Sequence, residues 1–586
     1  MAARTIQINS FCGGSSKLLD SEFIGKEESL NMYPETVTAT DTYSTKILKS
    51  VEGFELKKRF NSDEKYSGIG VVTSNPFSNI PDKETALIVT YDLEQPRKKR
   101  LWNVRKSGQS EYLGYFQTTR SGKESSVMEL SNGMTLVLSS GEMFVILPYR
   151  TDVLLWPPLT LPDAFDHEGK IVPTQMVQLN FRVILNDKDS DYIYWSEINR
   201  PSHPIDVNAF QQNLTQYAYT KNDGTAVTFD DNVFYPPAEG SYIAGTLTTQ
   251  QVYTSSLNSM KMDFKADSVV ALKASDSSLF VFGQSSLEIL RWQNSTIAPF
   301  AIVHKTSLCG VSFERAVTII GNECFFVGKG PGSMLGVWAV DENGAVRKIS
   351  TTAIDQRLTK YMVRGNYIKN IESYEYSYKG HQFFIFNIFE IEDKFEETLC
   401  YDITEQVWTD RASFDESDNR RAWNVLDVVS IDGSPLFATK TVNNDVLICS
   451  FDNGDQSLGY RDWFIDDPGE HHVIRERTTG IKFDGINDII VTSLEVVMNN
   501  GATREFAPEQ YASNPRVMLQ VSLDGGMTWS NELWAYAGKV GQYSWRTRWN
   551  ALGKGARFAF RIRMSDPVIF EIATAYLSYI PCGNRV

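Results

Sequence analysis

The sharpest chemical feature of this 586-residue chain is the run Ser522-Leu523-Asp524-Gly525-Gly526-Met527-Thr528-Trp529. An Asp at the head of such a turn can accept from the backbone N–H groups that follow it, the glycines supply positive φ, and the Trp can pack beneath. That is the chemistry of a tight hairpin. Glycoside hydrolysis needs two placed carboxylates, and no spacing here marks a second one. The other concentration is basic: Arg546, Arg548, Lys554, Arg557, Arg561 and Arg563 gather in an otherwise acidic chain. Arg561 and Arg563, two apart on a predicted strand, share one face. That face is either solvated or turned towards a phosphate or an adjoining subunit, with Arg546, Arg548 and Arg557 beside it.

The remaining candidates are weaker. Of six His, only His471 and His472 are adjacent, and neighbours in extended backbone point apart, so no metal site is expected. Six scattered Cys without a Cys-x-x-Cys pair read as reduced thiols, and no cofactor is implied. Tyr192, Tyr194 and Trp195, ahead of Ser202-His203-Pro204, have the make-up of a sugar-stacking platform or of a strand core. Arg97-Lys98-Lys99-Arg100 reads as the exposed tip of a hairpin. The Ser522–Trp529 run resembles the Asp-box of sialidases and related propellers, in which the turn is structural. A sialidase carries several such boxes and an arginine cluster; this chain has one box. A glycan-binding or glycan-cleaving propeller is thus the alternative class, and the expectation is that the protein is not an enzyme.

Charge narrows the partners. With 57 Lys and Arg against 72 Asp and Glu the net charge is −15, a poor basis for general duplex binding, which depends on cations neutralising phosphates. The same sign suits a surface past which DNA must slide. The opening residues lack an apolar core and no run of 18 apolar residues occurs, so a soluble protein without membrane insertion is expected.

The elements that would position these residues are β-strands. Strand pairs recur at 86–104, 136–147, 181–198, 279–292, 324–349, 380–410 and 435–452, each joined through Gly, Asn, Asp, Ser or Pro. A spacing near 45–55 residues is that of propeller blades, and the one doubled interval contains a polar stretch at about 205–262, read as an insertion. After about 480 the strands lengthen and alternate cleanly. The expected architecture is all-β: an extended N-terminal segment over 1–45, a six- or seven-bladed β-propeller over 46–480, and a C-terminal β-sandwich over 481–586. Short helices are expected near 352–363 and 418–426.

A series of ordered marks carries a resemblance. LNMYPE (30–35), ILKSVEGFELKKRF (47–60), SEINRPSHPID (196–206), SVVALKASDSSLFVFGQSSLEIL (268–290), SLCGVSFERAVTIIGNECFFVG (307–328), TLCYDITEQVWTD (398–410) and the terminal S-x-D-G-G…R-F-x-F-R-I-R follow one another. In this the chain resembles the packaged-DNA-stabilising tail hub, or nozzle, proteins of short-tailed bacteriophages. The resemblance implies a structural virion protein of the tail, assembled in the host cytoplasm as a homo-oligomeric ring of six. It implies contact with the portal and adaptor proteins and with tail fibre or spike proteins. Packaged DNA would be retained above the ring and pass through its lumen.

Overall fold

Every strand pair read from the sequence lies inside an antiparallel meander of four strands, which stands as its own sheet in five cases, gains a fifth, parallel strand at 136–147 and is part of a larger sheet at 380–410. The computed structural model describes residues 3–8, 11–16, 27–37, 46–73, 84–130, 133, 135–146, 153–155, 171–195, 218–220, 226–228, 244–246, 258–262, 267–293, 299–307, 309–330, 335–363, 368–391, 394–452, 461–464, 472–485, 487–501, 513–539 and 541–582. Among these, seven such units follow in chain order. The first runs through Glu64–Val72, Thr85–Asp92, Lys98–Val104 and Ser110–Gln117. Its second strand is buried along its whole length, as the apolar run ALIV requires of a strand covered on both faces. Ser278–Gly283 holds the equivalent place in the fourth unit, again fully buried.

The first strands of the units stand side by side around an axis. Val317–Ile320 lies against Val269–Ala274 on one side and Asn370–Tyr378 on the other, and Val425–Ile431 lies against both Asn370–Tyr378 and Glu64–Val72. Aromatic side chains fill the wedges between sheets. Phe116 meets Phe144 at 4.3 Å between centroids, Phe282 meets Phe326 at 5.2 Å, and Phe325 meets Phe384 at 5.5 Å. The seventh unit borrows its outer strand from the other end of the chain, because Phe54–Arg59 pairs antiparallel with Val446–Phe451. This closes the circle with hydrogen bonds.

Among the described residues the doubled interval holds no further four-stranded unit. Tyr192–Trp195 pairs with Asn258–Lys261, so the end of the stretch at 205–262 is the fourth strand of the third sheet and the rest of it lies in the chain between that sheet's third and fourth strands. Within it Ala244–Thr246 runs parallel to Val153–Leu155 of the second sheet. The expected helix at 352–363 is present as Thr352–Val363, with Asp355 in its first turn. The helix expected at 418–426 is not. Arg420–Ala422 pairs with Val407–Phe414, and Val425–Ile431 opens the seventh sheet. Tertiary pairing overrides local preference there.

The sandwich is built from both ends of the chain. Arg4–Gln7 and Lys46–Ser50 pair with Ile572–Pro581, and Met32–Thr36 pairs with Lys46–Ser50 at the sheet edge. Pro34 lies in that edge strand, where its missing N–H interrupts no ladder. The facing sheet holds Arg475–Thr478, Ala559–Met564, Arg516–Ser522 and Leu533–Tyr536. Glu28–Leu30 joins it to the propeller, parallel to Val407–Phe414 and antiparallel to Arg475–Thr478. One ten-stranded sheet therefore runs from the sixth propeller unit into the sandwich.

Candidate functional site

Three places gather the polar chemistry: the propeller axis, the junction of the two domains, and the outer edge of the sandwich. At the axis the first strands enclose a cavity of about 2090 Å³. The turn at Phe313-Glu314-Arg315 reaches across it. Arg315 Nη2 donates to Asp427 Oδ2 at 2.5 Å, Tyr66 Oη donates to the same oxygen at 3.0 Å, and Ser373 N donates to Arg315 O at 2.7 Å. Gln175 Nε2 donates to Glu314 O at 2.8 Å while its Oε1 accepts from Leu272 N at 2.7 Å. Backbone and side-chain groups from six of the seven units are thus tied together over the axis. Burial raises the Glu372 carboxyl to about 7 against the pull of Arg315, which lies 4.0 Å away. Burial likewise lowers the Lys273 ammonium.

The junction holds the densest set of buried charges. Asp410, the last residue of the sixth unit's strand pair, is fully buried and accepts from Ser15 Oγ at 2.5 Å and from the guanidinium of Arg357; Arg420 Nη2 lies 3.3 Å from it. Arg357 also engages Glu397, and Arg420 engages Glu28. On the sandwich side Arg477 is buried and donates to Phe11 O at 2.7 Å, Gly14 O at 2.9 Å and Ser29 Oγ at 3.0 Å. The sequence reading missed these residues. Asn31 lies inside LNMYPE and Asp410 closes TLCYDITEQVWTD, and the two meet here, where Asn31 N donates to Asp410 O at 2.9 Å.

The Asp524 turn forms as its residue types require. Asp524 accepts from Ser522 Oγ at 2.7 Å, Met527 N at 3.0 Å, Thr528 N at 3.0 Å and Thr528 Oγ1 at 2.5 Å. Gly525 and Gly526 have φ of 82° and 89°, and Gly526 N donates to Ser522 Oγ at 2.7 Å. These donors hold the Asp524 carboxyl well below the usual range against the opposing effect of burial, the largest single influence on it. Trp529 lies under the Arg561 guanidinium, 4.1 Å from its ring centroid.

The basic residues do not converge on one point. Arg561 and Arg563 do share a face, and both engage Glu476, at 3.2 and 2.8 Å. Arg546 pairs with Glu495, Arg548 donates to Ser493 Oγ at 2.8 Å, and Arg557 O accepts from Gly525 N at 2.9 Å. The Arg97–Arg100 run is not an exposed tip throughout. Lys99 is buried and donates to Gly122 O at 2.5 Å, and burial lowers it to about 8; Arg100 meets Glu64 and Asp92. Tyr194 and Trp195 are buried in the third unit, with Trp195 packed edge-on to Phe300, so they offer no open stacking face. His471 lies outside the described residues. Among the described residues no group of three His, Cys, Asp or Glu side chains could hold a metal ion.

Two family models match the chain. One, described as Bacteriophage P22 Gp10, beta-propeller, matches residues 206–459; the other, Bacteriophage P22 Gp10, beta-sandwich, matches residues 475–579. A comparison with curated proteins finds no match. Among solved structures, the WD40 domain of coronin from Toxoplasma gondii is 10% identical, with 74% of this chain and 88% of that chain covered and a TM-score of 0.33. The AfRom2 CNH domain is 10% identical, with 68% and 99% covered and a TM-score of 0.33. Both scores fall below the level of a shared overall fold.

Proposed function

Because the chain belongs to the bacteriophage P22 Gp10 family, which makes it a structural protein of a phage tail with a β-propeller and a β-sandwich, we propose that it forms the hub, or nozzle, of a short tail. Copies assemble as a ring of six that prolongs the DNA channel below the portal and adaptor, helps retain the packaged genome and carries the fibre or spike proteins. The carrying observation is that both family domains occur in order on one chain, joined by the continuous sheet through Glu28–Leu30. The charges support a scaffold over an enzyme. Asp410, Arg357 and Glu397 are spent on one another, and the Asp524 carboxylate is spent on its own turn.

The net charge fits a conduit. Six chains of −15 make a ring of about −90, and a lumen of neutral to acidic lining would hold no phosphate tightly. Arg561 and Arg563 face Glu476, whereas Arg546 remains two-thirds exposed, which supports a reading in which it and Arg548 meet an adjoining subunit. The test is an image of the protein in assembled virions, with its mass in solution. A ring at the tail supports the reading. A monomer that binds duplex DNA tightly at physiological salt, and weakens on replacement of Arg546 and Arg548 by Ala, overturns it.

A further inference from the structure

The exposed apolar side chains are not spread evenly over the molecule. Of the thirteen large exposed hydrophobics among the described residues, seven lie between Leu523 and Trp545, and they include every exposed Trp and Tyr: Trp534, Tyr536, Tyr543 and Trp545. A patch of amphipathic aromatics of this kind marks a contact surface. Leu533–Tyr536 is the edge strand of the ten-stranded sheet. Ala535 packs on the sandwich core, so Trp534 and Tyr536, one position to either side, face away from it. Arg516 lies over Trp534 at 5.2 Å, and the Trp545 indole, whose N–H donates to Tyr536 O at 2.8 Å, extends the patch. Tyr543 is three-quarters exposed.

Two features choose the occupant. The edge strand is partly capped: Leu533 O accepts from Trp549 Nε1 at 2.9 Å, and Tyr536 O from both Trp545 Nε1 and Thr547 Oγ1. What the patch chiefly offers a partner is aromatic faces and side-chain charge. The charge is also lopsided. Residues 481–586 hold 11 Lys and Arg against 9 Asp and Glu, a balance of +2, which leaves 46 against 63, or −17, on residues 1–480. Arg516, over Trp534, is exposed, as are Lys539, Arg546, Arg548 and Lys554 elsewhere in the sandwich, Arg546 paired with Glu495 and Lys554 with Asp488; Glu532 is an exposed acid beside the aromatics in the chain. A basic aromatic edge and an acidic body on one chain are complementary between copies.

We infer that the Trp534–Trp545 edge of the sandwich docks on the acidic propeller of a second copy of this chain, a head-to-tail contact. This rests on the ring reading and gives it its surface, since a heterologous contact repeated around an axis closes a ring. Aromatic and arginine anchors supply most of the binding energy at such contacts.

The test is sedimentation of the full chain across concentration and salt, together with photo-cross-linking from a benzoylphenylalanine placed at position 543. The wild type is expected to self-associate, more strongly at low salt, with cross-links mapping to residues 1–480 of another copy. Trp534→Ala with Tyr543→Ala is expected to weaken association at least tenfold with an unchanged melting temperature. Tyr543→Ala alone, at the most exposed position, serves if the double variant fails to fold. Rings that survive these substitutions overturn the docking edge and leave the ring reading standing. A wild type that neither self-associates nor cross-links to itself in assembled virions overturns both. Cross-links confined to another tail protein, or loss of binding to a bacterial polysaccharide instead of loss of self-association, also overturn the inference.

Discussion

Asn31 and Ala412 exchange two hydrogen bonds: Asn31 Nδ2 donates to Ala412 O at 2.8 Å, and Ala412 N donates to Asn31 Oδ1 at 3.0 Å. The same amide nitrogen donates to Ile474 O at 2.9 Å, so one buried side chain ties the outer propeller strand to the sandwich. Its backbone sits at φ 52°, a region Asn tolerates better than most side chains. Replacing Asn31 by Leu leaves three buried backbone groups unsatisfied. The expected cost is on the order of 3 kcal/mol, read by calorimetry as a lower melting temperature. An unchanged melting temperature would show that the junction does not depend on this residue.

Closure of the propeller depends on a strand from the wrong end of the chain. Phe54 pairs in register with Phe451, stacks on it at 5.8 Å, and touches Phe437 at 5.1 Å. Phe54→Ala should cost about 3–5 kcal/mol, as for other buried Phe truncations, and should expose the seventh unit to proteolysis before the first. A protease digestion pattern identical to the wild type would count against strand closure as the point of weakness.

Stability should fall as pH rises through neutrality. The Glu372 carboxyl, held at about 7 by burial, is protonated in the folded protein where the unfolded chain is already ionised, so its contribution is full below about pH 4.3 and lost as pH passes 7. His381 acts in the same direction. Its bond to Asp402 raises it, giving stability present below about pH 6.5 and lost above its raised value. Glu372→Gln should flatten the melting temperature between pH 5 and 8 and raise it at pH 8. A variant with the wild-type slope would exclude Glu372 as a source.

Asp524→Ala should lower stability by on the order of 1–3 kcal/mol, because the turn loses the acceptor for Met527 N and Thr528 N. The depressed carboxyl contributes stability above its unfolded value near pH 4, lost only as pH falls further through the folded value. The difference between Asp524→Ala and wild type should therefore shrink in acid. A difference constant down to pH 2 would place the effect elsewhere.

What the sequence determined by itself is local. The alternation of apolar side chains and the placement of Gly, Asn and Asp marked all seven strand pairs, and Ser522-x-Asp524-x-Gly526 specified its turn, because each depends on residues close in the chain, the farthest partners of a pair being 19 positions apart, as Phe383 and Asp402 are. What only the tertiary structure decided is long-range. That Phe54–Arg59 completes the seventh sheet, that Arg4–Gln7 lies on Ile572–Pro581, and that Asn31 and Ser15 seek out Ala412 and Asp410 are pairings across some 380 to 570 residues. No periodicity encodes such a partner, since any edge strand offers the same backbone groups. Charge behaved likewise: Arg561 and Arg563 were legible as one face, but that the face is spent on Glu476 depends on Arg475–Thr478 being laid beside them by the chain's closure.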